Sequence, residues 1–202
     1  MVDAHILIGD EPIEWRNEAL NDIAALPVTL HKLKAITGQL AGARINGWTV
    51  GASEYITWFD PDDRYPSVAA AAFIHAAVDK MQRDTRLACC YSTEQRVDAS
   101  LNHVGRVHDQ PYSKAMMLTH PSWIHGLVIM KRSCVLEHAH KIDHSKPHPE
   151  WQLYKLLARS RLGFLRLPYV ARLWRQHAHN AHKIHNQINV IKSYSKALIE
   201  HP

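Results

Sequence analysis

The sequence predicts an α/β fold: one mixed sheet flanked by helices, with a helical tail at the C-terminus. Three observations carry this. Residues 1–60 alternate strand-like and helix-like stretches. SEYITWF is a β-branched and aromatic run that stops at Asp60. An Ala-rich segment long enough for a buried helix then follows Pro66.

Taken in order, VDAHILIGD reads as a first strand ending at Gly9-Asp10. After Pro12, Trp15, Ala19, Leu20 and Ile23 fall at helical spacing. PVTLHKLKAI places Val28, Leu30, Leu33 and Ile36 as a strand, and GQLAGARINGWTVGA reads as a helix whose small residues let it approach a sheet. SEYITWF is the third strand, SVAAAAFIHAAVDKMQ a buried helix, and TRLACCYSTEQRVD another strand.

Residues 98–122 carry scattered Asn, His, Asp, Gly and Pro and read mainly as loop. WIHGLVIMKRSCV reads as a buried strand ending at Lys131-Arg132, and EHAHKIDHSKPHPE as a polar, mobile stretch. EWQLYKLLARSRLG is an amphipathic helix with Gly163 as its left-handed cap, and FLRLPYVARLWRQH a short extended segment. HKIHNQINVIKSYSKALIE, with Ile184, Ile188, Ile191 and Leu198 on one face, reads as a last helix.

The 202 residues, 46% of them hydrophobic, suffice for one domain with a real core. We expect a single unit over 1–202, with a first half at about 1–97, a second at about 98–180 and a terminal helix at about 181–202. No apolar run reaches the length of a membrane span, and MVDAHILIGDEP lacks the basic-then-apolar order of a secretory signal. Cys89, Cys90 and Cys134 are an odd set with two neighbours that cannot easily bridge each other. Together these features predict a soluble protein of the cytoplasm, without membrane insertion.

The net charge of +5 is uneven. Residues 151–202 hold nine Lys/Arg against Glu200 alone, so residues 1–150 carry −3. A basic end of this kind suits phosphates, including nucleic acid, although a solvated basic helix face gives the same composition.

The chemistry concentrates at FDPDD. Asp60, Asp62 and Asp63 lie past a strand end, where open α/β sheets collect ligands. Neighbouring carboxylates repel unless a cation or basic group offsets them, and oxygen ligands of this kind suit Mg²⁺ or Mn²⁺. Acidic Pro-containing turns also occur without any ligand.

AGARINGWTVGASEYITWFDPDD, residues 41–63, resembles the signature of glycosyltransferases of the GT-A fold, family 2 in particular: an Ala-Arg-Asn helix, a Gly-Glu-Tyr-Ile strand and an Asp-x-Asp-Asp end. Arg44, Asn46, Gly47, Ala52, Glu54, Tyr55 and Ile56 stand in matching places. A second block, HPEWQLYKLLARSRLGFLRLPYVARLWRQHAHNAHK, resembles the family's acidic-pair helix, Gly turn, Leu-Pro strand and Arg-x-His segment. The two blocks cover about half the chain.

The resemblance implies a compact, Rossmann-like nucleotide-diphospho-sugar transferase that inverts the anomeric centre, with about 1–97 as its nucleotide-sugar-binding half and about 98–180 as its acceptor side. It assigns Asp60 to the ribose of a nucleoside diphosphate sugar, with Arg44 on the same donor side. Asp62 and His177 would hold Mn²⁺ or Mg²⁺, and Arg175 would face the diphosphate. Asp63 would support the metal or face the acceptor, Glu150 would be the catalytic base, and Trp151 an acceptor platform. Asp10 and Thr37 stand by position alone for the acid that reads the nucleotide base.

Two features depart from the pattern. Pro149 precedes Glu150 where an acid is usual, and Glu replaces the commoner Asp. The segment before the acidic motif is also short.

The remaining signals have ordinary readings beside the functional ones. A Glu in a first helical turn is favoured by the helix dipole alone. His138, His140, His144 and His148, like His177, His179, His182 and His185, are spaced as a zinc set might be, without cysteine support. Most of the six tryptophans suit a core. Two other functions fit the charge: a nucleic-acid-binding or metal-dependent phosphotransfer protein, and a catalytically degenerate transferase serving as a binding module. The first leaves the order of residues 41–63 unexplained.

Overall fold

The computed structural model describes residues 1–35, 40–120, 123–144, 146 and 148–177. Six strands form one mixed sheet: β1 (Val2–Ile8), β2 (Thr29–Lys34), β3 (Tyr55–Phe59), β4 (Leu87–Val97), β5 (Val128–Lys131) and β6 (Gly163–Arg175). Their order across the sheet is β2-β1-β3-β5-β4-β6. β2, β1 and β3 run parallel, β5 is antiparallel to both neighbours, and β6 runs parallel to β4.

Helices cover both faces. α1 (Ile13–Ala24) and α3 (Ser67–Arg83) bury Ala19, Ile23, Phe73, Ile74 and Ala77 against Val2, Ala4, Ile6, Tyr55 and Phe59. α2 (Leu40–Trp48), α4 (Lys114–Thr119), α5 (Arg132–Ala139) and α6 (Pro149–Arg159) bury Ile45, Trp48, Met117, Val135, Trp151 and Leu153 against Ile56, Trp58, Cys89 and Tyr91. Because β3 is covered on both sides, all five of its residues are buried, and its sequence reads as an unbroken apolar run rather than an alternating one.

The expectations for the middle of the chain need correction. α4 lies inside the expected loop, started by Ser113, whose hydroxyl accepts from the Met116 amide. Its Met117 carbonyl receives the Trp151 indole N–H at 2.9 Å. The stretch expected to be mobile opens as the end of α5, because Val135, His138 and Ala139 turn inward. His138 bonds the Cys134 carbonyl and the Ser160 hydroxyl at 3.0 and 2.9 Å, a structural use of one histidine of the first set.

The left-handed residue after α6 is Arg161, at φ 61°, and not Gly163. Gly163 instead opens β6 by donating to the Arg86 carbonyl at 2.7 Å. The expected terminal helix and the second histidine set beyond His177 lie outside the described residues.

β6 is longer than the short segment expected and is broken in register at its Pro. Ser92 pairs with Leu167 and Thr93 with Val170, so Pro168 and Tyr169 bulge out of the ladder. Pro lacks the amide a regular ladder needs, and a bulge removes the demand for it. Beyond the bulge β6 continues beside β4 to the Val97–Arg175 pair and also bridges Arg64 through Leu173.

The far end of the sheet is fixed by Asp3. Its carboxylate accepts from Arg132, His31 and the Ser53 amide. Gly51, at φ +90°, is required there twice over, since a Cβ would stand about 2.3 Å from the Asp3 carboxylate.

Candidate active site

The carboxylates lie where β3 ends, at the edge that also receives the C-terminal end of parallel β1, so Asp10 shares that end of the sheet. The turn 60–64 is held rigidly. Tyr65 accepts from the Asp60 amide at 2.7 Å, and Arg64 and Leu173 exchange backbone hydrogen bonds at 3.2 and 2.9 Å. Arg64 also grips Asp22 of α1 with two nitrogens.

Two arginines organise the acids, Arg44 buried and Arg172 half-buried. Arg44 donates to Asp60 Oδ1 at 2.6 Å and meets Glu150 Oε1 at 2.9 Å through Nε. Arg172 donates to Asp60 Oδ2 and Asp63 Oδ2, each at 2.7 Å, and stands 3.5 Å from Glu94. Residues from α2, β3, β4, α6 and β6 thereby converge on Asp60.

Burial disfavours the charge on Asp60, yet Arg172 and Arg44 together hold its carboxyl below the usual range. Arg172 cannot serve every acid equally. Burial pushes Asp63 well above the carboxylate range, with Asp62 and Asp60 adding to the rise against Arg172. Asp63 is 1% exposed and accepts the Arg175 amide, so the structure encloses it beneath β6 instead of facing it outward. Burial opposes charge on Glu94 too, but His125, Arg172 and the Gly126 amide bring it down to about 2.

Asp62 and His177 meet directly, Oδ2 to Nε2, at 2.9 Å. A carboxylate oxygen beside an imidazole nitrogen suits a divalent ion such as Mn²⁺. Among the described residues no group of three or more His, Cys, Asp or Glu forms a metal cluster. A divalent ion at this pair would need its other ligands from phosphate and water.

Arg175 is 1% exposed, lies over the Trp15 ring and donates to Glu18 at 2.6 Å, tying β6 to α1. Trp151 sits in the core with Lys155 over its ring at 3.7 Å, which leaves that face covered. Thr37 lies outside the described residues.

The architecture has solved counterparts. Residues 1–349 of Staphylococcus aureus TarS, a GT-A-like glycosyltransferase, superpose with a TM-score of 0.60 at 11% identity, covering 95% of this chain and 65% of that one. A second S. aureus TarS structure gives 0.61 at 13% identity, covering 98% and 42%. The fold is glycosyltransferase-like.

At these identities the likeness is one of fold, and the chain spans less than two-thirds of either TarS chain. No protein-family model and no curated protein matches the sequence. No described helix is long and apolar enough to cross a membrane.

Within this fold, the motif-based reading missed Arg172 and Glu94. Arg172 stood in plain view in the Leu-Pro strand, four residues beyond Pro168, and Glu94 is an acid in the polar second half of β4. A charge at a buried strand position demands a partner, and that was the available signal for Glu94.

Proposed function

We propose that the protein is a metal-dependent glycosyltransferase, resembling those of family 2, that moves a sugar from a nucleoside diphosphate sugar to a hydroxyl acceptor. One observation carries the reading. In a glycosyltransferase-like fold, the Asp62–His177 pair stands past β3 beside Asp60, and Arg44 links Asp60 to Glu150.

In this reading Asp62 and His177 would hold Mn²⁺ or Mg²⁺, which when bound would supply counter-charge for the diphosphate. Asp60, fixed by Arg44 and Arg172, keeps a charged oxygen for the ribose on the donor side. Arg175 acts at one remove, by fastening α1 to the strand that carries His177. Glu150, in the first turn of α6, is the carboxylate available to take the acceptor proton. The basic balance of residues 151–202 makes a polyanion, nucleic acid included, an acceptor to test.

The test is a thermal-stability screen of nucleoside diphosphate sugars with and without Mn²⁺. One or a few donors should raise the melting temperature, and Mn²⁺ should enlarge the rise. A shift with DNA but with no sugar nucleotide overturns the reading in favour of nucleic-acid binding.

A further inference from the structure

α1 carries a stripe of functional side chains toward the acid turn. Trp15, Glu18 and Asp22 recur at three- and four-residue spacing, so they share one side of the helix over about 10 Å. Asp22 accepts from two nitrogens of Arg64 at 2.6 and 3.0 Å and from the Tyr65 amide at 2.9 Å. Glu18 accepts from Arg175 at 2.6 Å and stands 3.7 Å from Arg64. The Trp15 ring lies 4.7 Å from the Arg175 guanidinium and 4.8 Å from the His177 ring, tilted to it by 52°.

These contacts close a circuit. From Asp62 the chain leads two residues on to Arg64, across to Asp22, along α1 to Trp15, across to His177, and back to Asp62 at 2.9 Å. The backbone bridge between Arg64 and Leu173 sets where the two chain segments run, but it stops four residues short of His177. β6 itself ends at Arg175. The His177 ring thus projects beyond the strand on a terminal torsion that is broad by nature, and its orientation is set by what it packs on.

Trp15 suits that task better than a place in the core. Among the described residues it joins neither apolar cluster of the sheet, and it stays half-buried. An indole is large and has only two side-chain torsions to fix. The Arg175 guanidinium holds it by the attraction of a cation for a ring face. Arg175 is fixed in turn by Glu18 and by its own amide, which donates to Asp63 at 2.8 Å.

A metal-binding imidazole depends on the neighbours that orient it as well as on its own nitrogen. We propose that Trp15 is the positioning residue of the Asp62–His177 pair: its ring is the wall that keeps the His177 imidazole turned with Nε2 to Asp62. The inference rests on the reading of that pair as the holder of the ion, and it assigns a side chain that the sequence motifs pass over.

Mn²⁺ with inorganic pyrophosphate is the probe, since it offers phosphate oxygens without a choice of donor. Loss of the free-ion signal in electron paramagnetic resonance measures binding. Trp15→Leu should weaken binding about tenfold or more, and Trp15→Phe, which keeps an aromatic wall, should recover most of that loss. Ile23→Val, a buried change on the same helix away from the His177 ring, controls for stability and should bind as wild type does. Equal binding in wild type and Trp15→Leu overturns the inference and leaves the metal pair intact. An equal loss in Ile23→Val overturns it too, because the effect is then that of a loosened helix. No binding in wild type overturns the pair and the inference together. Nuclear Overhauser contacts between the Trp15 and His177 rings of the wild-type protein need no variant to fold. A contact that survives saturation with Mg²⁺ and pyrophosphate supports the proposal, and one that disappears overturns it.

Discussion

His177 Nε2 lies 2.9 Å from Asp62 Oδ2 across 115 residues of chain. Nothing local in the sequence brings these two together. The bridge between Arg64 and Leu173 does so, by pinning the turn after β3 to the end of β6.

If this pair holds the metal, Asp62→Asn and His177→Ala should each remove the Mn²⁺-dependent part of donor stabilisation. Donor affinity should weaken at least about tenfold, near 1.4 kcal/mol. Titration calorimetry with Mn²⁺ and the responding donor measures it. Unchanged affinity in both variants would remove the metal assignment.

Glu150→Gln should separate binding from transfer. The donor-induced melting shift should persist, because Arg44 retains Asp60, whereas turnover should fall by about 10² or more. Turnover equal to wild type would take the base role away from Glu150.

Arg172→Met should be far more damaging to folding than loss of a surface arginine, since it strands the buried acids Asp63 and Glu94. A loss of about 3–5 kcal/mol in urea unfolding is expected. A cost below about 1 kcal/mol would mean the acids find other partners.

Glu94 links stability to acid. Its folded value of about 2 lies below the ordinary 4.5, so its contribution is complete above pH 4.5 and is lost as pH falls toward 2. The size is roughly 3 kcal/mol. Glu94→Gln should therefore be less stable than wild type at neutral pH, with the gap closing over that acid interval in pH-dependent chemical unfolding. A gap that stays constant down to about pH 2 would show that ionisation of Glu94 does not contribute.

Much of the sheet was legible because β3, β5 and the start of β4 are buried on both faces and announce themselves as mostly apolar runs. Asp60 and Asp62 drew attention because acids at a strand end need partners, which Arg44, Arg172 and His177 supply. α5 was not legible, since half of its residues are polar and its inward positions include His138, whose partners come from α5 itself and from Ser160. Arg172 escaped for a related reason. Which residue of β6 faces Asp60 depends on the bulge at Pro168 and Tyr169, a register shift that no spacing rule reveals. Gly163 misled because a glycine after a helix usually marks its cap, whereas here Arg161 takes the left-handed turn two residues earlier.

The strap between Arg64 and Leu173 also bears on synthesis. A ribosome that has made β3 has produced three acids with Arg44 as their one cation from the pair that faces Asp60. Arg172 and His177 emerge more than a hundred residues later. Until then the acids repel, and the turn has no strand to hang from. The donor end of the sheet should thus be the last part of the protein to become protease-resistant during translation.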